Sequence, residues 1–309
     1  KSNSFCLVKL KLDLSVDSLI PVEYLKERHS SVVGNKAANF GELYNYSKKI
    51  DFFTPESAFA IPFFFYDQHI QSCGLSDAIL RLSEQNNMKR SREEVELDLK
   101  EIRRIMKIKP INSDLILKLE QMIVRLGDYK RMRFRSSTNA EDMEGFSGAG
   151  LYQSKTGEID SKTKTIEKAI LSVWSSLWNY EAFMEREAFN MDQTQVAMGV
   201  LVHRSFPEEE VNGVAITSNI YRDNYLGFVV NAQLGDESVV APKEGVTCDQ
   251  FICYPDKSVT IYGKEEGAID IIAYSSLNNG ELVMTKAEIQ KLANVLEKIK
   301  RQFIRNHYI

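Results

Sequence analysis

One stretch of the chain, Met132 to Ser154, constrains its fold more than any other. Its first residues alternate with the period of a β-strand, so Met132 and Phe134 share one face while Arg133 and Arg135 share the other. We therefore expect a strand with an apolar face packed on a core and a second face that carries positive charge. Serine, threonine and acidic residues follow at once, so the strand ends in a polar loop.

That loop contains three glycines, Gly145, Gly148 and Gly150. Because glycine is conformationally permissive, the segment can be a plain linker. Alternatively, the missing side chains let backbone N–H groups approach an anion, and Ser147 adds a hydroxyl donor. In that interpretation Arg135 supplies a fork of charged donors that suits phosphate oxygens.

A second candidate anion site lies at Gly34 to Asn39, where helical periodicity begins. Lys36 falls in the first turn of this helix, whose N-terminal end already carries partial positive charge. A bound anion would remove the conflict. Otherwise Lys36 points into solvent, and the residues alone leave both interpretations open.

Capping boxes and apolar periodicity predict further helices. Ser91 with Glu94 opens one helix, and Thr285 with Glu288 opens the last one. Leu115 to Leu126 and a segment from about Ile166 into the 180s are also predicted to be helical, the latter with Trp174 and Trp178 on its buried stripe.

Short β-branched and aromatic segments dominate the second part of the chain and predict strands. Before them, the apolar run Phe59 to Tyr66 is expected to be a buried strand, with a turn at Pro62. The later segments are Val196–Val202, Gly213–Thr217, Leu226–Ala232, Gln250–Tyr254 and Ser258–Tyr262.

The change in composition places a domain boundary near residue 192. We predict an α+β fold with two lobes: a mixed α/β lobe over residues 1–192 and a strand-rich lobe over residues 193–309. Clefts between lobes are favoured ligand sites, so a ligand is expected between these two.

Charge and composition exclude several classes of function. The net charge of −4 argues against a general nucleic-acid binder. No run of about 18 uncharged apolar residues occurs, so no membrane span is expected. No secretion signal is visible, and the four cysteines form neither a disulfide framework nor a zinc-site spacing. We expect a cytoplasmic protein.

Several motifs together resemble the family of pyruvate phosphate dikinase and phosphoenolpyruvate synthase. Gly34 to Leu43 is similar to its Gly-Gly-Lys-Gly-Ala-Asn-Leu-Gly-Glu-Leu signature, and Phe134 to Asp142 to its Val-Arg-Ser-Ser-Ala-x-Ala-Glu-Asp segment. Phe146 to Gly150 resembles its phosphate-covering loop, Trp174 to Arg186 its long helix, and Gly213 to Thr217 its Gly-Val-x-Phe-Thr strand. The matches follow the family order from about residue 33 to 300.

The resemblance implies an ATP-grasp-like fold, with nucleotide in the cleft between the lobes and ATP and Mg²⁺ as cofactors. Lys36 and Arg135 would then contact the ATP phosphates and act in catalysis, while the loop over Gly145, Ser147, Gly148 and Gly150 closes on them. The adenine would lie against the strand that ends at His203. The residues implied to line the nucleotide there are Leu201, Val202 and His203, whose backbone groups read the ring edge, together with Thr217.

The sequence departs from the family pattern in two places that bear on the metal and the phosphates. Ser218 to Ile220 stands where the family has Arg-Asn-Pro, so one phosphate-binding arginine is missing. The family's acidic metal-binding motif is expected after the last helix, yet the sequence stops at Ile309. We therefore expect the Mg²⁺ ligands beyond that residue. Glu141, Asp142 and Glu144 are either metal ligands or, as we favour, exposed loop residues.

By this resemblance, phosphate passes from ATP to a histidine on a separate domain outside this chain. It then reaches an acceptor, for which pyruvate, a rifamycin-like drug and a glucan are the alternatives. The rival hypothesis is a degenerate, non-catalytic nucleotide-binding module that regulates a partner.

Overall fold

The computed structural model describes residues 8–127, 129–141, 148, 150–221, 227–240, 242–255 and 268–307, with side chains up to residue 304. The chain divides into two compact units. The first comprises Lys1–Asn45 and Phe53–Ser205, and the second comprises Tyr46–Phe52 and Phe206–Ile309. Both contain antiparallel sheets and helices, so the predicted mixture of α and β structure is confirmed, while the two-lobed ATP-grasp-like arrangement stays a prediction.

The first unit is built on a five-stranded sheet in the order β1-β2-β5-β3-β4. Its strands are β1 (Ile20–Pro21), β2 (Ala58–Ile61), β3 (Arg131–Thr138), β4 (Ser154–Glu158) and β5 (Met198–Arg204). All the pairings are antiparallel, and β5 lies at the centre between β2 and β3. The sheet therefore joins segments that are far apart in sequence.

Helices cover this sheet on both faces. They are α1 (Ser30–Val33), α2 (Asn35–Ser47), α3 (Phe63–Ser72), α4 (Ser76–Ser83), α5 (Arg92–Ile108), α6 (Ser113–Gly127), α7 (Ile166–Ser175) and α8 (Tyr180–Ala188). The larger core contains Phe134 of β3 together with Trp174 and Trp178, all three fully or almost fully buried. The tryptophan stripe is thus confirmed as core.

A smaller core lies on the opposite face of the sheet, under α1 and α2. It contains Ala60 of β2 and Leu201 of β5, packed with Val33 and Ala37. Because neighbouring residues of a strand point to opposite faces, Val200 and Val202 belong to the larger core instead. The helix that carries Lys36 therefore packs on the same face as Leu201.

The second unit contains a four-stranded antiparallel sheet in the order β6-β7-β8-β9. Its elements are β6 (Val211–Ile216), β7 (Phe228–Leu234), β8 (Asp249–Cys253), β9 (Ile269–Ala273) and the helix α9 (Lys286–His307). Phe228 and Phe251 of the sheet pack with Ile289 and Ala293 of the helix in one buried cluster. Across the residues that the structure describes, no helix combines the length and apolar character needed to cross a bilayer.

Both capping boxes form as predicted. The Ser91 hydroxyl accepts from Glu94 N at 3.2 Å while the Glu94 carboxylate accepts from Ser91 N at 2.9 Å. Thr285 and Glu288 exchange the same pair of hydrogen bonds at the start of α9. These short-range patterns give the helix starts because both partners lie within one turn.

The prediction of one strand from Phe59 onwards is wrong in its second half. The strand β2 ends at Ile61, and Pro62 takes the position before the first residue of α3 with φ of −64°. Proline lacks the N–H that a helix start leaves unbonded, so it suits this position. Phe63, Tyr66 and Ile70 then follow helical spacing into the core.

Two other elements differ from the predicted ones. The helix predicted from Ile166 is interrupted after Trp178, where Asn179 has extended dihedral angles of −69° and 145° before α8 begins. The strand predicted at Ser258–Tyr262 lies outside the described residues.

The predicted boundary near residue 192 falls before β5, which pairs with β2 and β3 and belongs to the first unit. The two compact units of the structure divide after Ser205. The two predicted lobes, 1–192 and 193–309, stay a prediction.

Candidate phosphate-binding site

Lys36 lies in the first turn of α2 and reaches the end of strand β3. Its Nζ donates to the Ser136 carbonyl oxygen at 2.9 Å and to Glu141 Oε1 at 2.9 Å, with a longer contact of 3.4 Å to the Ser136 hydroxyl. About a third of its side chain is exposed. The ammonium group is therefore held by the protein rather than pointing freely into solvent.

The residues beside Lys36 bind the same strand end. Asn35 Nδ2 donates to the Glu141 carbonyl oxygen at 2.7 Å, and Ala37 N donates to the buried Ser137 Oγ at 2.9 Å. The Ser137 hydroxyl thus caps an N–H at the start of α2 from a position 100 residues away in sequence. The two motifs that the sequence suggests separately form one structural unit.

Gly34 explains why the start of α2 lies so close to the end of β3. Its φ is +86°, and a Cβ placed there would lie 2.5 Å from the backbone carbonyl carbon and oxygen of Ser137. Only glycine meets both requirements, since side chains rarely adopt this conformation and the space is already occupied. Gly34 therefore sets the distance between α2 and β3.

Arg135 lies on β3 directly opposite Leu201 of β5, on the face of the sheet that α2 partly covers. It is exposed, and partial desolvation lowers the pKa of its guanidinium while the charge of Glu141 acts in the opposite direction. Arg135 remains a cation at neutral pH because a free guanidinium titrates only above about 12. Lys36 Nζ binds the carbonyl oxygen of Ser136, the residue directly after Arg135, so the structure places both cations at the same end of β3.

Glu141 is the residue whose predicted setting is wrong. The favoured interpretation is an exposed loop carboxylate, but only 5% of Glu141 is exposed and it pairs with Lys36. The ion pair with Lys36 offsets part of the cost of burying this carboxylate. Asp142 and Glu144 lie outside the described residues.

His203 lies on the same face and is buried. Its ring stacks on Phe40 of α2 with centroids 6.4 Å apart, and its Nδ1 donates to the Arg204 carbonyl oxygen at 2.7 Å. Burial lowers its pKa to about 4, and the charges of Arg135, Arg133 and Arg204 act in the same direction. His203 is therefore neutral at pH 7 and adds no positive charge to the face.

The backbone of Leu201, Val202 and His203 lies inside the sheet. Each of the three is in register with a residue of β2 and with a residue of β3. The hydrogen-bonded ladders with β2 and β3 already use backbone groups of this strand. Recognition of an adenine ring by the backbone of these three residues stays a prediction. The side chains of Leu201 and His203 face α2, whereas Val202 faces the larger core.

The remaining predicted site residues are only partly described. Gly148 and Gly150 have φ of +61° and +79°, a conformation that favours glycine, and nothing lies within 4 Å of a Cβ built at Gly150. Gly145 and Ser147 lie outside the described residues. Thr217 belongs to the second unit, directly after β6.

Sequence reasoning missed two residues that organise the site. One is Ser137, described above. The other is Asn139, whose amide donates to the carbonyl oxygens of Lys11 and Gln195 while its oxygen accepts from Ala197 N at 2.9 Å. Asn139 thereby connects the end of β3 to the entry of β5. Its position directly after Ser136-Ser137-Thr138 places it at the end of the predicted strand, but no local sequence pattern identifies its distant hydrogen-bond partners.

The described residues do not supply a metal site. Across them, no three His, Cys, Asp or Glu side chains come together as a group that could hold a cation. Glu141, the acidic residue nearest to the site, is engaged by Lys36. No step of the chemistry is therefore assigned to metal ligands of this part of the chain.

A lysine and an arginine lie at the end of one strand, and such charged donors are typical of domains that bind phosphate groups. The family model of the pyruvate phosphate dikinase AMP/ATP-binding domain matches residues 30–307. The chain belongs to this family, which confirms the resemblance seen in its motifs. Membership supports ATP as the substrate.

Two curated relatives are similar over nearly the whole chain. Rifampicin phosphotransferase of Bacillus subtilis is 25% identical over 295 residues, which cover 90% of this chain and 32% of that protein. Rifampicin phosphotransferase of Bacillus cereus is 24% identical over 283 residues, covering 88% of this chain and 31% of that protein. The chain spans about a third of the length of these relatives, which are phosphotransferases.

Proposed function

We propose that this chain is the ATP-binding part of a dikinase-like phosphotransferase. It holds the ATP phosphates with Lys36 and Arg135 while phosphate passes to a histidine on another domain and then to the final acceptor. The observation that carries the proposal is the position of both cations at the end of β3, where Lys36 pairs with Glu141 and binds the carbonyl oxygen next to Arg135, inside a chain that belongs to an AMP/ATP-binding family.

Lys36 is suited to hold phosphate because its geometry is set in advance. Two contacts of 2.9 Å orient the ammonium group, and Gly34 and Ser137 hold the helix that carries it. A preorganised cation stabilises charge on a transferring phosphoryl group without reorganisation at the moment of reaction. Arg135 adds a planar fork that can bind two phosphate oxygens at once.

Mg²⁺ enters the proposal with the triphosphate, whose charge it offsets during phosphoryl transfer. Its protein ligands are proposed to lie outside the described residues. The phosphohistidine domain is likewise proposed from the family alone. For the final acceptor we propose a rifamycin-like small molecule, because both relatives are named for rifampicin; pyruvate and a glucan are the alternatives.

Calorimetric titration of Mg·ATP into the protein tests the phosphate site. Lys36→Ala and Arg135→Ala should each weaken binding by roughly 1.5–3 kcal/mol, the value of a hydrogen bond to a charged group. Lys118→Ala, on the exposed side of α6, is the matched control and should bind as the parent does. Unchanged affinity in both site variants would refute the assignment.

Phosphoryl transfer is tested on the complete protein that contains this chain. ATP labelled with ³²P at the β- or the γ-phosphate should leave an acid-labile, base-stable label on the protein, as a phosphohistidine does. The same experiment addresses the rival regulatory module, which is favoured by Ser218 to Ile220 standing in place of the family's Arg-Asn-Pro. ATP binding without any label would establish that rival.

A further inference from the structure

A basic cavity lies on the other face of the five-stranded sheet, at its β4 edge. It has a volume of 370 Å³, within the usual range for small-molecule sites of about 300–1,000 Å³. Four lysines line it. They come from α5, β4, the loop before α7 and the first turn of α7, and are Lys107, Lys155, Lys164 and Lys168.

No acidic side chain is among the described residues that line the cavity. In the same part of the chain, none of the four ammonium groups has a carboxylate within ion-pair distance. The carboxylate of Glu167, next to Lys168 in sequence, is instead used elsewhere, because it accepts from Ile111 N at 2.8 Å. Among the described residues the four lysines therefore form no ion pair, and Lys168 Nζ has one long contact of 3.4 Å with the Lys162 carbonyl oxygen.

Burial and neighbouring positive charge both act on Lys107. Partial burial lowers the pKa of Lys107, and the charges of Arg103 and Lys155 lower it further. Like charges that approach one another raise the free energy of the folded protein unless an anion joins them. Three of the four lysines stand on regular elements, α5, β4 and α7, and α5 and α7 contribute residues to the larger core, so the backbone positions of these lysines are set by the fold while their side chains are exposed.

The chemistry of the lining indicates what kind of anion fits. Thr163 and Thr165 lie among the lysines, while Ala169 and Leu171 contribute a small apolar surface. Ammonium groups bind phosphate oxygens as point charges, and an apolar wall suits an uncharged organic body. The volume leaves room for more than the phosphate group alone.

We propose that this cavity binds a phosphorylated small molecule, with the lysines around its phosphate group. The site is separate from Lys36 and Arg135. Lys155 pairs in register with Phe134, which points into the larger core, whereas Arg135 occupies the opposite face. The proposal does not depend on the ATP assignment.

The test is calorimetric titration of the protein with glucose 6-phosphate, glucose and inorganic phosphate as probes. The ester should bind, and Lys155→Gln combined with Lys168→Gln should weaken it roughly tenfold or more, from lost charged contacts. The double variant Lys286→Gln, Lys298→Gln removes the same charge from exposed positions of α9 and should leave binding unchanged. Lys36→Ala should also leave it unchanged, which separates this site from the nucleotide site.

Four results would overturn the proposal. The first is no binding of the ester, and the second is equal binding of the ester by the two double variants. The third is binding of glucose as tight as that of the ester, which would mean that the lysines play no part. Inorganic phosphate that matches the ester in affinity would refute the organic ligand. Thermal unfolding of both double variants verifies that they are folded.

Discussion

The first unit carries positive charge on both faces of one sheet, and the two clusters are built differently. On one face Lys36 is held by a carbonyl oxygen and by Glu141, each at 2.9 Å, and its helix is anchored by Ser137. On the other face the four lysines of the basic cavity have no ion pair among the described residues. The first cluster is part of the fold, whereas the second is a group of exposed lysines around a cavity.

This difference has consequences for stability. Where side chains, backbone and charge are interlocked, a substitution leaves groups that the protein cannot satisfy otherwise. Where charges only repel one another at the surface, their removal relieves the folded state. The residues around Lys36 should therefore be sensitive to change and the basic cavity tolerant of it.

The largest effect is expected for Gly34→Ala. The new Cβ would lie 2.5 Å from Ser137 backbone atoms at a φ of +86°, so overpacking and backbone strain should together destabilise the fold by about 4 kcal/mol. Urea unfolding measures this. Gly74→Ala is the control: φ is +67° there, but nothing lies within 4 Å, so a loss of about 1 kcal/mol is expected. Equal losses at both glycines would contradict a close helix–strand contact.

The next effect concerns His203 and pH. Its pKa is about 4 in the folded protein and 6.5 when unperturbed, so the unfolded chain takes up the proton first as pH falls. Stability is therefore complete above pH 6.5 and decreases toward pH 4, by about 3 kcal/mol in total. Urea unfolding between pH 7 and 4.5 should show a shallower decrease for His203→Gln. Parallel curves for the two proteins would show that burial of His203 contributes nothing to the pH dependence of stability.

Ser137→Ala should cost about 2 kcal/mol, because it leaves the buried Ala37 N–H without its acceptor. Since α2 then loses an anchor, Mg·ATP binding through Lys36 should weaken as well. Ser83→Ala is the control, as that hydroxyl only donates to Leu80 O near the surface and should change stability by less than about 0.5 kcal/mol. Urea unfolding and calorimetry on the same samples measure the stability and the Mg·ATP affinity. A Ser137 variant as stable as the Ser83 variant would contradict the proposed role of the Ser137–Ala37 hydrogen bond in anchoring α2.

The smallest effect is expected in the basic cavity. Lys155→Gln with Lys168→Gln should raise the free energy of unfolding by a few tenths of a kcal/mol, because like-charge repulsion is reduced. The gain should disappear in about 1 M salt, where the Debye length is about 3 Å. A clear loss of stability would show that these lysines hold the fold together, and the contrast between the two faces would fail.

The sequence predicted those parts of the fold whose partners are close together along the chain. The Ser91–Glu94 capping box and the alternation of Met132 and Phe134 are examples, since both follow from local geometry. The segment after Ile61 was misassigned because apolar residues suit a buried helix and a buried strand equally well. Pro62, interpreted as a turn, in fact begins a helix.

The sequence predicted the two cations of the candidate site but not the residues that hold them in place. Lys36 and Arg135 are recognisable because charged residues beside glycine and serine suggest an anion. Glu141 was placed in solvent because its partner belongs to a helix that begins about a hundred residues earlier. Pairings of this kind depend on the folded sheet, so no local pattern reveals them.

The separation between Ser137 and Ala37 also shapes how this protein folds. A hydrogen bond between residues 100 positions apart requires a large loop to close, and such closure is slow compared with helix formation. We therefore expect the segment around Gly34 to dock after β3 has taken its place in the sheet. The contacts that hold Lys36 should then be among the last to form in folding and the first to be lost in unfolding. For this reason we expect Ser137→Ala to speed unfolding far more than it slows folding.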